Sequence, residues 1–479
     1  MIARLVTVSL VTAAMVAAVT AQVRPDRSKP QALGASPKLT LPTIQKRALS
    51  NGLPVWIVEA HEVPLVQVNL VVMAGANDDP AGKFGVASLT AAMLDEGAGR
   101  RNALDVADAV DVLGADLSVT SSFDASAVRL NVPVAQLAEA LPIMADVALR
   151  PTFPQNELDR LRQERLTALI QARDDPASLV APAFARAVFG GTHRYGTAAV
   201  GTTNTLKGFT VADLRAFHSA RYQPGNATLI VVGDVRPATV LQQLEKHFAT
   251  WTGKGPVART PISVAPQLTE RQVVIVDVPG AAQSQVRIGW VGVARSSPDY
   301  FTLQVLNTIL GGSFTSRLNQ NLREDHGYTY GASSRFDMRL APASFAAGAG
   351  VQTDKTSESL TEFFKELDAI VKPIDADELT KARNYITLGL PSEFETLSDL
   401  SSHLEEMVVY KLPDDYFNRY SGNILAVTSP ALAKAAATYI QPGKFAVVVV
   451  GDRKVIEAGV RGLKLGTVRM MTPAEALGE

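Results

Sequence analysis

Residues 222–234 read YQPGNATLIVVGD, and residues 439–452 read YIQPGKFAVVVVGD. Each is a Pro-Gly turn, then an apolar run, then Gly-Asp. The two aspartates, Asp234 and Asp452, stand 218 positions apart. QVNL at residues 67–70 returns as QVRI at residues 285–288 with the same offset, and Pro80 returns as Pro298. ELDRLR from Glu157 returns as ELTKAR from Glu378, 221 positions on. Four matches in one order at nearly one offset make the chain two copies of a unit of about 200 residues.

GKGPVARTPISVAP, residues 253–266, is rich in Gly and Pro and reads as the linker between the copies. The copies then occupy residues 41–252 and 267–462, with residues 463–479 as a tail. In the first copy, residues 66–72 read as a strand. DLSVTSS and SAVRLNV alternate apolar and polar residues and predict an antiparallel hairpin. Residues 136–149 and 156–173 predict helices, the second with Leu158, Leu161, Leu166, Leu169 and Ile170 as its apolar stripe. The second copy repeats this with strands at 328–336 and 344–351 and a helix at 356–370. The expected fold is α+β: an antiparallel sheet with helices packed on one face, built twice.

Among 479 residues, 47% are hydrophobic and 19% charged, the balance of a folded chain, and the length calls for more than one core. Net charge is −1, so no basic footprint points to nucleic acid. Residues 1–21 read as a secretory signal. Arg4 precedes an apolar run over residues 5–19, and Val19-Thr20-Ala21 offers small residues before a cut at Gln22. That run falls short of the roughly 20 residues that span a bilayer, which favours cleavage over a retained anchor. The expected location is periplasmic or secreted, with residues 22–40 as a polar tether and no other membrane segment. The chain has no cysteine, so disulfides, thiolate metal sites and cysteine nucleophiles are excluded.

GVASLTAAMLDEG, residues 85–97, reads as a short helix between glycines, directly after a strand. With DDP at residues 174–176, HRYGTAAVGT at 193–202 and GGSFTSRLNQNLREDHGYTYG at 311–331, it resembles the pitrilysin-type zinc metallopeptidases. The similar branch is that of the mitochondrial processing peptidase and its bacterial relatives. The resemblance runs from about residue 41 to residue 460. In catalytic members the helix carries His-x-x-Glu-His. Residues i and i+4 share a face, so two imidazoles meet one zinc, and the Glu takes a proton from the zinc-bound water. A later Glu completes the ligand set. On this chain those positions are Ser88, Ala91, Ala92, and Ala168 or its neighbour Leu169, and none of them can serve. The six histidines are scattered, with no His-x-x-x-His pair. Each reads as structural or solvated rather than as a ligand, His403 on its helix being the best residual candidate.

The resemblance also implies a second half-site, an Arg and a Tyr seven residues apart, which Arg323 and Tyr330 match. A guanidinium and a phenol can donate to a peptide carbonyl or to the oxyanion formed from it. The implied role is a zinc-free, non-catalytic subunit of a heterodimer, inactive alone. It would lend Arg323 and Tyr330 to a catalytic paralogue that carries His-x-x-Glu-His and the zinc, acting on a peptide. A structural scaffold subunit and a stand-alone peptide-binding protein remain as alternatives.

Overall fold

The repeated apolar runs form central strands. In a computed structural model, Gly34, residues 39–253, residue 255 and residues 257–479 are described. The expected signal, and nearly all of the expected tether, lie outside the described residues. The first half contributes β1 (Gln45–Ala48), β2 (Pro54–Glu59), β3 (Leu65–Val72), a two-residue ladder of β4 (Gly97–Ala98) and β5 (Arg101–Asn102), β6 (Asp116–Ser121), β7 (Ser126–Pro133) and β8 (Ala227–Gly233). The second contributes β9 (Gln272–Asp277), β10 (Gln283–Val291), β11 (Thr329–Met338), β12 (Pro342–Gln352), β13 (Ala446–Gly451) and β14 (Thr467–Met471).

The two six-stranded sheets run β6-β7-β3-β8-β2-β1 and β11-β12-β10-β13-β9-β14. Five strands correspond one to one. The sixth place differs: β1 pairs antiparallel with β2, whereas β14, from the end of the chain, pairs parallel with β9. Pairs β2–β8 and β9–β13 are also parallel, and the remaining pairs in both sheets are antiparallel. The fold is α+β, with two mostly antiparallel sheets and helices.

Four helices place the sites: α1 (Val86–Ala92), α2 (Gln155–Ala172), α3 (Pro176–Phe189) and α4 (Leu397–Tyr410). Each sheet carries its own half's helices on one face, as expected. The other face takes a single helix from the opposite half. Leu400, Leu404 and Met407 of α4 pack on Val58, Val71, Ile230 and Val232 of the first sheet. Leu179, Val180, Ala183 and Phe184 of α3 lie in one core with Val291, Val448 and Val450 of the second. α3 and α4 begin 221 positions apart, so the exchange is reciprocal between equivalent elements. It explains why every residue of β8 and β13 is buried: both faces of these strands are covered.

Two details depart from expectation. Ile170 is 58% exposed, because the buried row of α2 follows Leu158, Leu161 and Leu169, and Ile170 lies about 100° further round the helix. Residues 463–479 are not a loose tail. β14 joins the sheet, and the helix Pro473–Leu477 packs on α3, burying Met471 and Leu477. Among the described residues no helix is long and apolar enough to cross a membrane.

Candidate functional site

The start of α1 is fixed by charge. Gly85 caps the helix at φ +105°, a conformation that favours glycine, and a Cβ there would come within 2.6 Å of the Val200 carbonyl oxygen. Asp79 accepts from the backbone N–H of Gly85 at 2.7 Å and of Ala87 at 2.8 Å. It also accepts from Arg194 Nη2 at 2.8 Å, with both side chains buried. Arg194 in turn donates to the carbonyls of Ala76 and Thr197. The helix that would present zinc ligands is therefore rigidly held.

What it presents is not a metal site. Ala91 is buried in the wall of the core, Ser88 and Ala92 are half-buried on one face, and Ala168 is exposed on α2. Arg165, one turn before Ala168, donates from Nη2 to the Ser88 carbonyl at 3.1 Å. Its Nη1 is buried with no hydrogen-bond partner, and burial pushes the guanidinium pKa down. A cation thus sits against the backbone of the first ligand position. Among the described residues no group of three His, Asp or Glu side chains is placed to hold a metal. The residues present do not fit the zinc that the resemblance implies. The three alanines have no donor atom, a neutral Ser88 hydroxyl is a poor zinc ligand, and Arg165 would repel a dication.

In the second half, Arg323 lies on a π-helical turn, Gln320–Asp325. Its guanidinium sits 4.3 Å over the ring of Phe314, and Nη1 is 3.3 Å from Glu324 Oε1. Gly327, at φ +66°, reverses the chain into β11. Tyr330 is the second residue of that edge strand, at a register irregularity between Thr329 and Ala332. Such bulges re-aim side chains, and Tyr330 is 91% exposed, with no partner among the described residues. Arg323 and Tyr330 thus flank one chain reversal, yet make no hydrogen bond or cation–π contact with each other. GGSFTSRL, residues 311–318, reads as a turn before a helix and is one: its glycines end a π-helical segment, Thr308–Gly312, residues 313–316 turn, and a short helix, Arg317–Asn319, follows.

Two histidines are held by local packing, and the exposed His61 pairs with Asp234 at 2.7 Å. His403 stacks on Phe394 at 4.2 Å and meets Phe417 edge-on. His218 stacks on Tyr222 at 4.6 Å, and its Nε2 lies 2.9 Å from the Ala148 carbonyl oxygen; burial pushes its pKa down. Arg165 and the Asp79–Arg194 pair were not among the candidates read from sequence. Arg194 lies within HRYGTAAVGT, but no local pattern gives its pairing with Asp79 or the contact of Arg165 with Ser88, because each partner is remote in the chain.

The family model for insulinase (peptidase family M16) matches residues 55–197, and that for the peptidase M16 inactive domain matches residues 208–386. An uncharacterized zinc protease of Mycobacterium leprae is 25% identical over 365 residues, 76% of this chain and 81% of its own. Bacillus subtilis YmxG, also an uncharacterized zinc protease, is 24% identical over 67% of this chain and 77% of its own. The crystal structure of a peptidase M16 inactive domain from Pseudomonas fluorescens superposes with a TM-score of 0.79 at 26% identity, covering 85% of this chain and 98% of that one. The first half of the periplasmic protease PqqL from Escherichia coli shares the fold, with a TM-score of 0.71 at 18% identity over 92% and 98% of the two chains. The chain belongs to the peptidase M16 family.

Proposed function

We propose that this chain is the zinc-free partner subunit of a periplasmic or secreted heterodimeric peptidase of the processing-peptidase-like branch. The observation that carries the reading is a contrast within one chain. The zinc positions Ser88, Ala91, Ala92 and Ala168 offer no good ligand and Arg165 bonds the first of them, while Arg323 and Tyr330 keep their types and spacing, Tyr330 fully open and Arg323 half-buried over Phe314. A catalytic paralogue supplies the zinc and its activated water. Arg323 and Tyr330 donate hydrogen bonds to the scissile carbonyl and steady the oxyanion as charge grows on it. The chain also spans one half of full-length PqqL, so a protein built of two such units exists within the fold.

The test is reconstitution. The chain is co-expressed with a paralogue carrying His-x-x-Glu-His, and peptide hydrolysis, bound zinc and complex formation are measured on each chain and on the pair. The expected result is no stoichiometric zinc and no hydrolysis by this chain alone, with turnover by the pair. Mass spectrometry of the exported chain should find it trimmed near Ala21. One tightly held zinc per chain, or a paralogue fully active without this chain, would end the reading.

A further inference from the structure

The two halves can be compared position by position, and at one place they differ in charge. On the first sheet, Asn69 of β3 stands opposite Arg129 of β7, which stands opposite Ser118 of β6. Glu405 of α4 reaches down onto this row. It accepts from Asn69 Nδ2 at 2.7 Å, from Arg129 Nε at 2.7 Å and from Arg129 Nη2 at 2.5 Å. Thr120 takes a further bond from Arg129 Nη1. The cation is fully answered from within the chain.

On the second sheet the equivalent row is Arg287 of β10, Gly348 of β12 and Ser333 of β11. At the repeat offset of 221, the residue of α3 that replaces Glu405 is Phe184. Arg287 lies 5.9 Å from that ring and makes no hydrogen bond or ion pair among the described residues. Burial pushes its pKa down, and Asp337 opposes this only through space. Asp337 is itself bonded to Arg339 Nη2 at 2.5 Å. One strand further out, Arg335 is exposed, with no acid paired to it. The second half therefore carries its half-buried cation one strand over, at the place of Asn69, has glycine at the place of Arg129, has Arg335 beside the row, and lacks the carboxylate.

These cations line a cavity of about 600 Å³ together with Arg339, with Asp337, whose charge Arg339 answers, and with Gln285, which lies against Gly350; the rest of its floor, Ser333, Ser344 and Gly348, has almost no side chains. Gly348 cannot be otherwise, since a Cβ there would lie 2.5 Å from the Val286 carbonyl oxygen. The wall β11 is the edge strand of its sheet; Gly331 and Ala332 already bond the side chains of Thr329 and Asn319, and Ser333–Met338 continue the edge beyond them. Gly331, at one end of the lining, follows Tyr330 directly. From Gly331 to Arg339 the lining is long enough for about eight extended residues.

We propose that this groove seats an extended acidic peptide segment. Its carboxylates meet Arg287 and Arg335, and its backbone follows β11 toward Tyr330. The inference rests on the partner-subunit reading only in calling that peptide a substrate. The carboxylates do for the second sheet what Glu405 does for the first. Guanidinium–carboxylate pairs suit the geometry, and the bare floor lets a main chain approach closely.

The test uses the exported chain alone and fluorescence anisotropy of labelled peptides about ten residues long. One alternates Glu and Ala, one Gln and Ala, and one Lys and Ala. The Glu peptide is expected to bind, more weakly as salt rises, and the other two to bind at least about tenfold less. Arg287→Gln and Arg335→Gln should each weaken the Glu peptide about tenfold, and the double variant more. Ser333→Glu places a carboxylate across Gly348 from Arg287 and should abolish binding. Ser333→Gln, without the charge, should retain it. Unchanged melting temperatures separate these effects from misfolding. Equal binding of the Gln peptide, indifference to the Arg variants, or complete displacement by millimolar inorganic phosphate would each overturn the proposal, the last making it a small-anion site. If the reconstituted pair cleaves peptides while the groove binds none, this inference falls and the partner reading stands. If the groove binds and no paralogue is activated, the reverse holds.

Discussion

Asp79 is the residue on which the former zinc helix hangs. It meets two N–H groups at the start of α1 and the buried guanidinium of Arg194. Asp79→Asn keeps the shape but leaves Arg194 uncompensated in the core, so it should cost about 3–5 kcal/mol in urea unfolding. A loss below about 1 kcal/mol would mean that the pair does not hold the helix. Tyr330 has the opposite character. At 91% exposure it contributes little to packing, so Tyr330→Phe should leave stability within about 0.5 kcal/mol. In the reconstituted pair the same change should lower turnover about 10²-fold. Arg323→Lys should also lower turnover, because an ammonium lacks the planar fork, although it can still sit over Phe314. Full activity in both variants would favour the scaffold alternative.

At the scale of elements, α3 and α4 matter most, since each closes the sheet of the other half. Leu404 of α4 is 1% exposed against the first sheet. Leu404→Ala should therefore cost about 2–5 kcal/mol by denaturant melting. Val112→Ala, at a site 85% exposed, should cost less than about 0.5 kcal/mol. Comparable small losses at both sites would mean that α4 is only loosely applied. The strands and most of the helices were legible from apolar periodicity, the hairpin of β6 and β7 most directly. The partner of each outer face was not. An apolar stripe states that a helix is covered, and says nothing of which sheet covers it.

At the scale of the whole molecule, the exchange ties the halves into one cooperative unit. Removing either half strips α3 or α4 from the other's sheet and exposes Val58, Val71, Ile230 and Val232, or their counterparts. Calorimetry of the full chain should show a single transition, with calorimetric and van't Hoff enthalpies in agreement. The segment 39–252 made alone should bind a hydrophobic dye and recover when residues 257–479 are supplied in trans. Two resolved transitions in the full chain would reject the coupling.

The sequence by itself determined the duplication, the α+β class and the absence of His or Glu ligands at Ser88, Ala91, Ala92 and Ala168. Repeats and strand periods are local patterns, and coordination chemistry demands particular atoms at particular spacings, so both can be read along the chain. Only the tertiary structure decided that Arg165 bonds the backbone of Ser88 from 77 residues away, that Tyr330 stands clear of the sheet edge, and that Arg287 faces Phe184 rather than a carboxylate. These depend on which surfaces meet, and the helix exchange between the halves sets that. Burial and the pairing of a charge belong to the packed molecule, because a side chain loses its water only when some other part of the chain takes the water's place.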